Sequence, residues 1–275
     1  MREGIVLSNR LRAVVSMVTP GNRVCDIGCD HGFVPIYLVQ QGISPCALAM
    51  DVRKGPLSQA GIHIEACGLK DLIETRLSDG LKGFRTGEAD TLICAGMGGR
   101  LMMRILSEEA EKTASFRELI LQPQSEIQQF RAFLREQGYR IAEENMIEED
   151  GKFYPMMKAV CAGNKAGKAE TVRRPAENQK TLPYGDSCSG YDDCDGFRQR
   201  MEDRYGPLLL EKRHPVLYRY LEREARLCDQ IMEQMRTQGK GGDKSGRYEE
   251  IYRQKQNCLR VMKERYGDGY GENYD

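Results

Sequence analysis

The chain reads as an α/β protein: a mostly parallel, doubly wound sheet whose last strand runs antiparallel, followed by an antiparallel helical hairpin. Three observations predict this. Over residues 24–138, apolar runs of strand length alternate with segments of helical spacing, the pattern of repeated strand–helix units. Two further strand-like runs, 140–146 and 153–161, are separated by the acidic turn Glu148-Glu149-Asp150-Gly151, and so short a connection makes antiparallel neighbours. Beyond residue 197, apolar residues recur at three- and four-residue steps in two long stretches.

Each element has a local reason. Ser8 precedes a helix whose apolar positions Leu7, Leu11, Val14, Val15 and Val18 follow helical spacing, and Pro20-Gly21 ends it. Strand 24–27 enters the turn Gly28-Cys29-Asp30-His31-Gly32, with a helix over 33–41 closed by Gly42. Strand 47–50 ends at Asp51, and Pro56 sits in a first helical turn, which tolerates it. A third strand lies near 74–77, a fourth at 91–95, a helix at 100–106 and a fifth strand at 119–121. Ser125-x-x-Gln128 reads as a capping box for a helix closed by Gly138. Strand–helix units that close in an antiparallel pair describe the Rossmann-like sheet of class I methyltransferases; dinucleotide-binding Rossmann domains usually lack that ending.

Residues 1–161 are therefore expected to form one domain, 162–196 a polar linker or surface insertion, and 197–275 a helical coiled-coil domain. Segment 162–196 is rich in Gly, Lys, Asn, Asp and Ser. Its Cys188 and Cys194 lack two further close ligands, so no metal is expected. Leu217, Leu221, Cys228, Ile231 and Met235 form one helical seam, and Tyr248, Tyr252, Leu259, Met262 and Tyr266 the other. Glu224 and Lys255 interrupt them, and the glycine-rich stretch 237–246 is the connection. A net charge of +0 excludes an overall basic nucleic-acid binder but not a local basic surface. Residues 197–265 carry 17 Lys and Arg against 11 Asp and Glu. Of ten cysteines, Cys25, Cys46, Cys94 and Cys161 fall in predicted strands and read as small core residues. There is no signal peptide and no apolar run of ~18 residues. A cytoplasmic, reduced protein without a membrane partner is expected, monomeric or weakly self-associating.

Open α/β sheets bind ligands outside the carboxyl ends of their strands. Four segments fall there. In the first, Asp26 to Gly32, Gly28 and Gly32 let a backbone approach a ligand closely, and their G-x-x-x-G spacing departs from the dinucleotide G-x-G-x-x-G. The second is Asp51 with Val52, where the carboxylate is placed to accept from both ribose hydroxyls. In the third, Ser78-Asp79-Gly80, Asp79 can accept from an adenine amino group. The fourth, Ala95-Gly96-Met97-Gly98-Gly99, faces the reacting centre. Singly, each has a plainer reading: aspartate as turn residue or cap, glycines as a tight turn, Met97 as core, His31 as a helix cap. Together, in order, at consecutive strand ends, they point to a nucleoside-containing cofactor. No Gly-Lys-Ser/Thr follows the glycines as a P-loop requires. Asp26 and Asp30 would repel a pyrophosphate, whereas the sulfonium and ammonium of S-adenosylmethionine suit carboxylates.

Through Leu7-Ser8-Asn9-Arg10-Leu11, Asp26 to Gly32, Asp51 to Leu57, Ser78-Asp79-Gly80-Leu81, Ala95 to Gly99 and Leu121-Gln122-Pro123, the sequence resembles the bacterial tRNA (adenine-22-N1)-methyltransferase family, or TrmK family. Gly206-Pro207-Leu208-Leu209 and the helical hairpin resemble that family's C-terminal coiled coil, and only 162–196 falls outside the likeness. Gln124 stands where the family pattern leads one to expect Asn. The resemblance implies methyl transfer from S-adenosylmethionine to adenine N1 of tRNA. It implies a cofactor held by Asp26, Gly28, Asp30, Gly32, Asp51, Val52, Asp79, Gly80, Ala95, Gly96 and Met97. Asp30 and His31 are the catalytic candidates; Arg10, Gly98, Gly99, Gln122 and Pro123 are the substrate contacts. The fourth segment lacks the Asn/Asp-Pro-Pro-aromatic sequence of exocyclic-amine methylation, which favours a ring nitrogen. Arg10, Arg12, Arg53, Lys54, Arg100 and Arg104 are candidate RNA contacts at the rim, against salt bridging as the plainer fate. Two other readings stay open: a small-molecule methyltransferase or NAD-dependent oxidoreductase, and a non-catalytic RNA-binding scaffold.

Overall fold

Near-continuous apolar strands need cover on both faces, and the computed structural model, which describes residues 5–161, 194–237 and 246–267, provides it. Parallel strands β1 (Val24–Ile27), β2 (Ala47–Asp51), β3 (Ile73–Leu77), β4 (Thr91–Met97) and β5 (Glu118–Pro123) are joined by β6 (Tyr139–Glu149) and β7 (Lys152–Cys161) in the order β3-β2-β1-β4-β5-β7-β6. Helices α1 (Asn9–Val15), α2 (Phe33–Gln40) and α3 (Lys54–Ala66) cover one face through Val14, Ile36, Leu38 and Ile64. Helices α4 (Gly99–Glu108), α5 (Ala110–Ser115) and α6 (Ile127–Glu136) lie on the chain's other half, where Met102, Leu106, Phe130 and Leu134 pack against Leu92 and Leu119.

The last strand is antiparallel, as expected, but lies one place in from the edge. β7 pairs antiparallel with both β5 and β6, leaving β6 outermost. The turn between them is Asp150-Gly151, both in the left-handed region (φ 52° and 67°), the backbone of a two-residue hairpin. Pro155, Met156 and Met157 of β7 are buried, whereas β6 alternates with glutamates, so the more apolar strand takes the interior place.

Two further expectations are corrected and one is met. β4 continues past Ala95 to Met97 through a bulge at Gly96. The Ser125–Gln128 capping box does not form: Glu126 stands at the N-cap of α6 without a side-chain cap, because Ser125 Oγ faces the Gly99 N–H (3.3 Å) and the Glu126 carboxylate. Ser8 does cap α1, accepting from Leu11 N at 3.3 Å.

The C-terminal part comprises α7 (Cys194–Tyr205), α8 (Pro207–Glu211), α9 (Pro215–Thr237) and α10 (Arg247–Tyr266). Residues 194–196, assigned to the linker from sequence, are thus helical; the rest of that segment, with Cys188, and most of the 237–246 connection lie outside the described residues. α9 and α10 run antiparallel, Arg236 reaching Tyr248 at one end and Tyr266 Oη donating to His214 O at the other. The seam of α10 differs from the expected one: Cys258 and Val261 are buried while Tyr252 and Leu259 are exposed. The cause is polar. Buried Glu224 of α9 gathers Arg204, Tyr205, Gln254 and Cys258, and this hub sets which face of α10 turns inward.

Candidate functional site

The parallel strands end at one rim, where a crevice of about 600 Å³ opens. Residues from all four sequence segments line it: Asp26 to His31, Asp51 to Arg53, Ser78 to Gly80, and Ala95 to Met97. α1 adds Arg10, α2 adds Phe33, α4 adds Leu101, Arg104 and Ile105, and Gln124 enters from beyond β5. Two glycines are required by geometry. Gly28 has φ +73°, and a Cβ there would lie 2.2 Å from Met97 Cε. Gly96 has φ +82° at the bulge of β4, and its bare Cα leaves the approach where Arg10 and Gln124 converge.

The electrostatics are dominated by two buried carboxylates. Asp26 is 5% exposed and has no hydrogen-bond or ion-pair partner among the described residues. Burial, and then the charge of Asp51, push its carboxyl up to about 7. Asp51 is 3% exposed; its Oδ1 accepts from Arg53 N (2.8 Å) and its Oδ2 from Asp30 N (3.3 Å). Asp30 adopts φ +49°, which turns its carboxylate outward, 3.6 Å from Arg53 and 3.7 Å from His31 Nε2. Val52 and Leu101 line the crevice yet are 61% and 40% exposed, an uncovered apolar surface that fits a flat ring.

Some sequence-based placements change. Asp79 is already engaged by Lys82 (2.6 Å) and Arg104 (3.2 Å), and these hold its carboxyl below the ordinary range. Gly32, Gly98, Gly99, Gln122 and Pro123 do not line the crevice. Gly32 (φ +74°) packs against Ala60. Gly99 lets the start of α4 approach Ser125, whose carbonyl O would lie 2.4 Å from a Cβ there. Gln122 is fully buried and reaches the site only through Arg10, whose Nη1 donates to it at 2.8 Å. Of the rim cations, Arg53, Arg100 and Arg104 are ion-paired, as the plainer reading held. Sequence reasoning missed Phe33, Tyr154 and the crevice position of Gln124. Phe33 was signalled by following Gly32 at a helix start. Tyr154, whose ring lies 5.6 Å beneath the Arg10 guanidinium, had no local signal.

Among the described residues no three or more His, Cys, Asp or Glu side chains converge as a metal site. No helix among them is long and apolar enough to cross a membrane.

Residues 7–157 match the family model for a methyltransferase domain. The tRNA (adenine(22)-N(1))-methyltransferase of Bacillus subtilis is 37% identical over 153 residues, 56% of this chain and 64% of that protein. The chain thus matches somewhat under two thirds of this relative's length. A Streptococcus pneumoniae protein, solved in complex with S-adenosyl-L-methionine, is 29% identical with a TM-score of 0.72, covering 94% of this chain and 100% of that one. The m1A22 tRNA methyltransferase TrmK of Bacillus subtilis gives 26% identity and a TM-score of 0.72, covering 94% and 99%.

Proposed function

The chain belongs to the methyltransferase-domain family, and from that premise we propose that it transfers the methyl group of S-adenosylmethionine to N1 of adenosine 22 in tRNA. The observation that carries the reading is Asp26, a buried carboxylate with no protein counter-charge, facing a crevice it shares with Asp51. Such a site suits a cationic ligand bearing hydroxyls and is hostile to a pyrophosphate. The relatives support the substrate: the Bacillus subtilis proteins are tRNA methyltransferases of adenine 22.

When bound, S-adenosylmethionine supplies an electrophilic methyl on a positive sulfur. In this reading Asp26 and the outward Asp30 carboxylate attract the cationic end, and the backbone at Gly28 gives it room. Asp51 accepts from the ribose hydroxyls, Val52 and Leu101 flank the adenine, and the Ser78–Gly80 turn meets its edge, with Asp79 shared with Lys82 and Arg104. Ala95, Gly96 and Met97 complete the wall.

The chain's remaining task is positioning. Adenine N1 has an in-plane lone pair, so alignment and water exclusion suffice and no base need generate a nucleophile. The methylated ring is cationic. The carboxylate of Asp30, held beside His31, stabilises that charge, and His31 orients it or accepts the proton the amino group later sheds. Gly98, Gly99 and Pro123 act by shaping the wall, and Gln122 by holding Arg10. The target base must leave its stack to enter.

The test is incubation of the full chain with methyl-labelled S-adenosylmethionine and unmodified tRNA, followed by mapping of the labelled nucleotide. Label at N1 of adenosine 22 is expected. Label elsewhere corrects the substrate, and no label in RNA overturns the assignment.

A further inference from the structure

Beside the crevice, three aromatic rings from two elements meet at the surface. His31 and Phe33 are 5.6 Å apart at 23°, Phe33 and His63 5.2 Å apart at 17°, and His31 and His63 5.9 Å apart at 40°. The three centroids form a nearly equilateral triangle. A single column of stacked rings would put the outer two about twice as far apart, so none of the three is sandwiched between the other two. His63 Nδ1 lies 3.0 Å from His31 O, pinning α3 to the turn before α2. The patch is not core: Phe33 is 37% exposed and the His31 side chain 46%. Two of the chain's three histidines are committed to it.

We propose that this platform stacks an unpaired base of the RNA, the neighbour of the base that enters the crevice. The inference rests on the tRNA reading above. His31 and Phe33 line the crevice as well as the patch, so a base lying on the rings adjoins the reacting one in space. A strand from which one base has been turned out exposes the faces of its neighbours, and aromatic side chains receive such faces without regard to sequence. Arg53, 3.6 Å from the Asp30 carboxylate that adjoins His31, supplies positive charge at the His31 edge for the connecting phosphates, and shares it with Asp30 and Asp51. Three side chains offer far less than the roughly 1,000 Å² of a stable protein interface, but enough for one base.

The experiment measures dissociation constants of the full chain for tRNA, by filter retention, and for S-adenosylmethionine, by calorimetry. Phe33→Ala and His63→Ala are each expected to weaken tRNA binding roughly 5- to 100-fold, and His63→Ala, outside the crevice lining, to leave the cofactor constant unchanged. Phe33→Tyr restores tRNA binding. Phe33→Leu, which keeps bulk but has no π-face, does not. Unchanged tRNA binding in both alanine variants, restoration by Leu, or a loss confined to the cofactor overturns the inference. Because the readout is binding, failure of the unaltered chain to transfer methyl counts against the proposed function alone.

Discussion

Arg10 Nη1 donates to Gln122 Oε1 across 2.8 Å, joining the first helix to the end of the fifth strand. Gln122 has its amide nitrogen directed at Pro123 O (3.2 Å), so its oxygen is the fixed point and the guanidinium is the group being held. Tyr154 lies beneath that guanidinium. Glu149, at the end of β6, faces the N–H groups of Asn9 (2.8 Å) and Arg10 (3.4 Å). A carboxylate at a helix N-terminus is favoured by the unpaired amides there. α1, β5, and the β6–β7 hairpin thus aim one cation into the crevice.

If that cation grips the RNA backbone, Arg10→Ala raises the KM for tRNA about tenfold and lowers the slope of binding against salt by about one unit. Gln122→Leu acts in the same direction while leaving the charge in place, so its salt slope is retained. Steady-state kinetics and binding over a salt series measure both. A change in cofactor affinity with tRNA binding intact reassigns Arg10 to the cofactor.

The pair Arg131–Glu144 joins the sheet domain to the helical part, with side chains 2% and 0% exposed and Nε to Oε1 at 2.9 Å. Arg131 Nη1 also donates to the carbonyls of Asp203 and Arg204, and Glu144 Oε2 accepts from Leu208 N. Glu144→Ala strands a buried guanidinium, an expected loss of about 3–5 kcal/mol in urea unfolding. Gly206→Ala is also destabilising, because its φ is +97° and its Cβ would fall 2.7 Å from Glu144 Oε1. An unchanged midpoint for either variant removes this pair as the clamp.

What could be read ahead of the structure was local or periodic. β1 and β2 are buried at every position, so their apolar runs bounded by Asp and Gly were unambiguous. Ser8 as a cap needed only its own neighbourhood. Long-range choices were hidden. A hairpin sequence states that β6 and β7 are antiparallel, but not which of them docks on β5. Asp79 looked available because Arg104, one of its two partners, stands 25 residues away. Gln122 looked like a substrate contact because Arg10, 112 residues distant, is visible only in three dimensions. The seam of α10 was misread because a buried glutamate, Glu224, turned the helix.

Burial pushes the thiols of Cys94 and Cys258 up to about 12, and that of Cys25 upward as well. At pH 8 all three are almost wholly protonated, and the thiolate is the reacting form. Brief labelling of the native chain at pH 8 is therefore expected to spare them and, among the cysteines whose burial the structure describes, to modify half-buried Cys46, Cys67 and Cys161 first. Peptide mapping by mass spectrometry reads the order, and early modification of Cys94 contradicts the packing described.

Asp26 sets a pH dependence with a definite sign. An ordinary aspartate titrates near 3.9, whereas this one titrates at about 7 in the folded, cofactor-free chain. Between roughly pH 4 and 7 the folded chain holds a proton that the unfolded chain has released, so this residue makes stability fall as pH rises through that window, levelling off above it. Asp26→Asn removes the burden and should stabilise the cofactor-free chain at pH 8 by on the order of 2–4 kcal/mol, while abolishing cofactor binding. A bound sulfonium favours the carboxylate, so binding at pH 6 should expel a proton and binding at pH 9 should not. Calorimetry in buffers of differing ionisation enthalpy counts it. Binding at pH 6 without proton release would show that the cation sits away from Asp26.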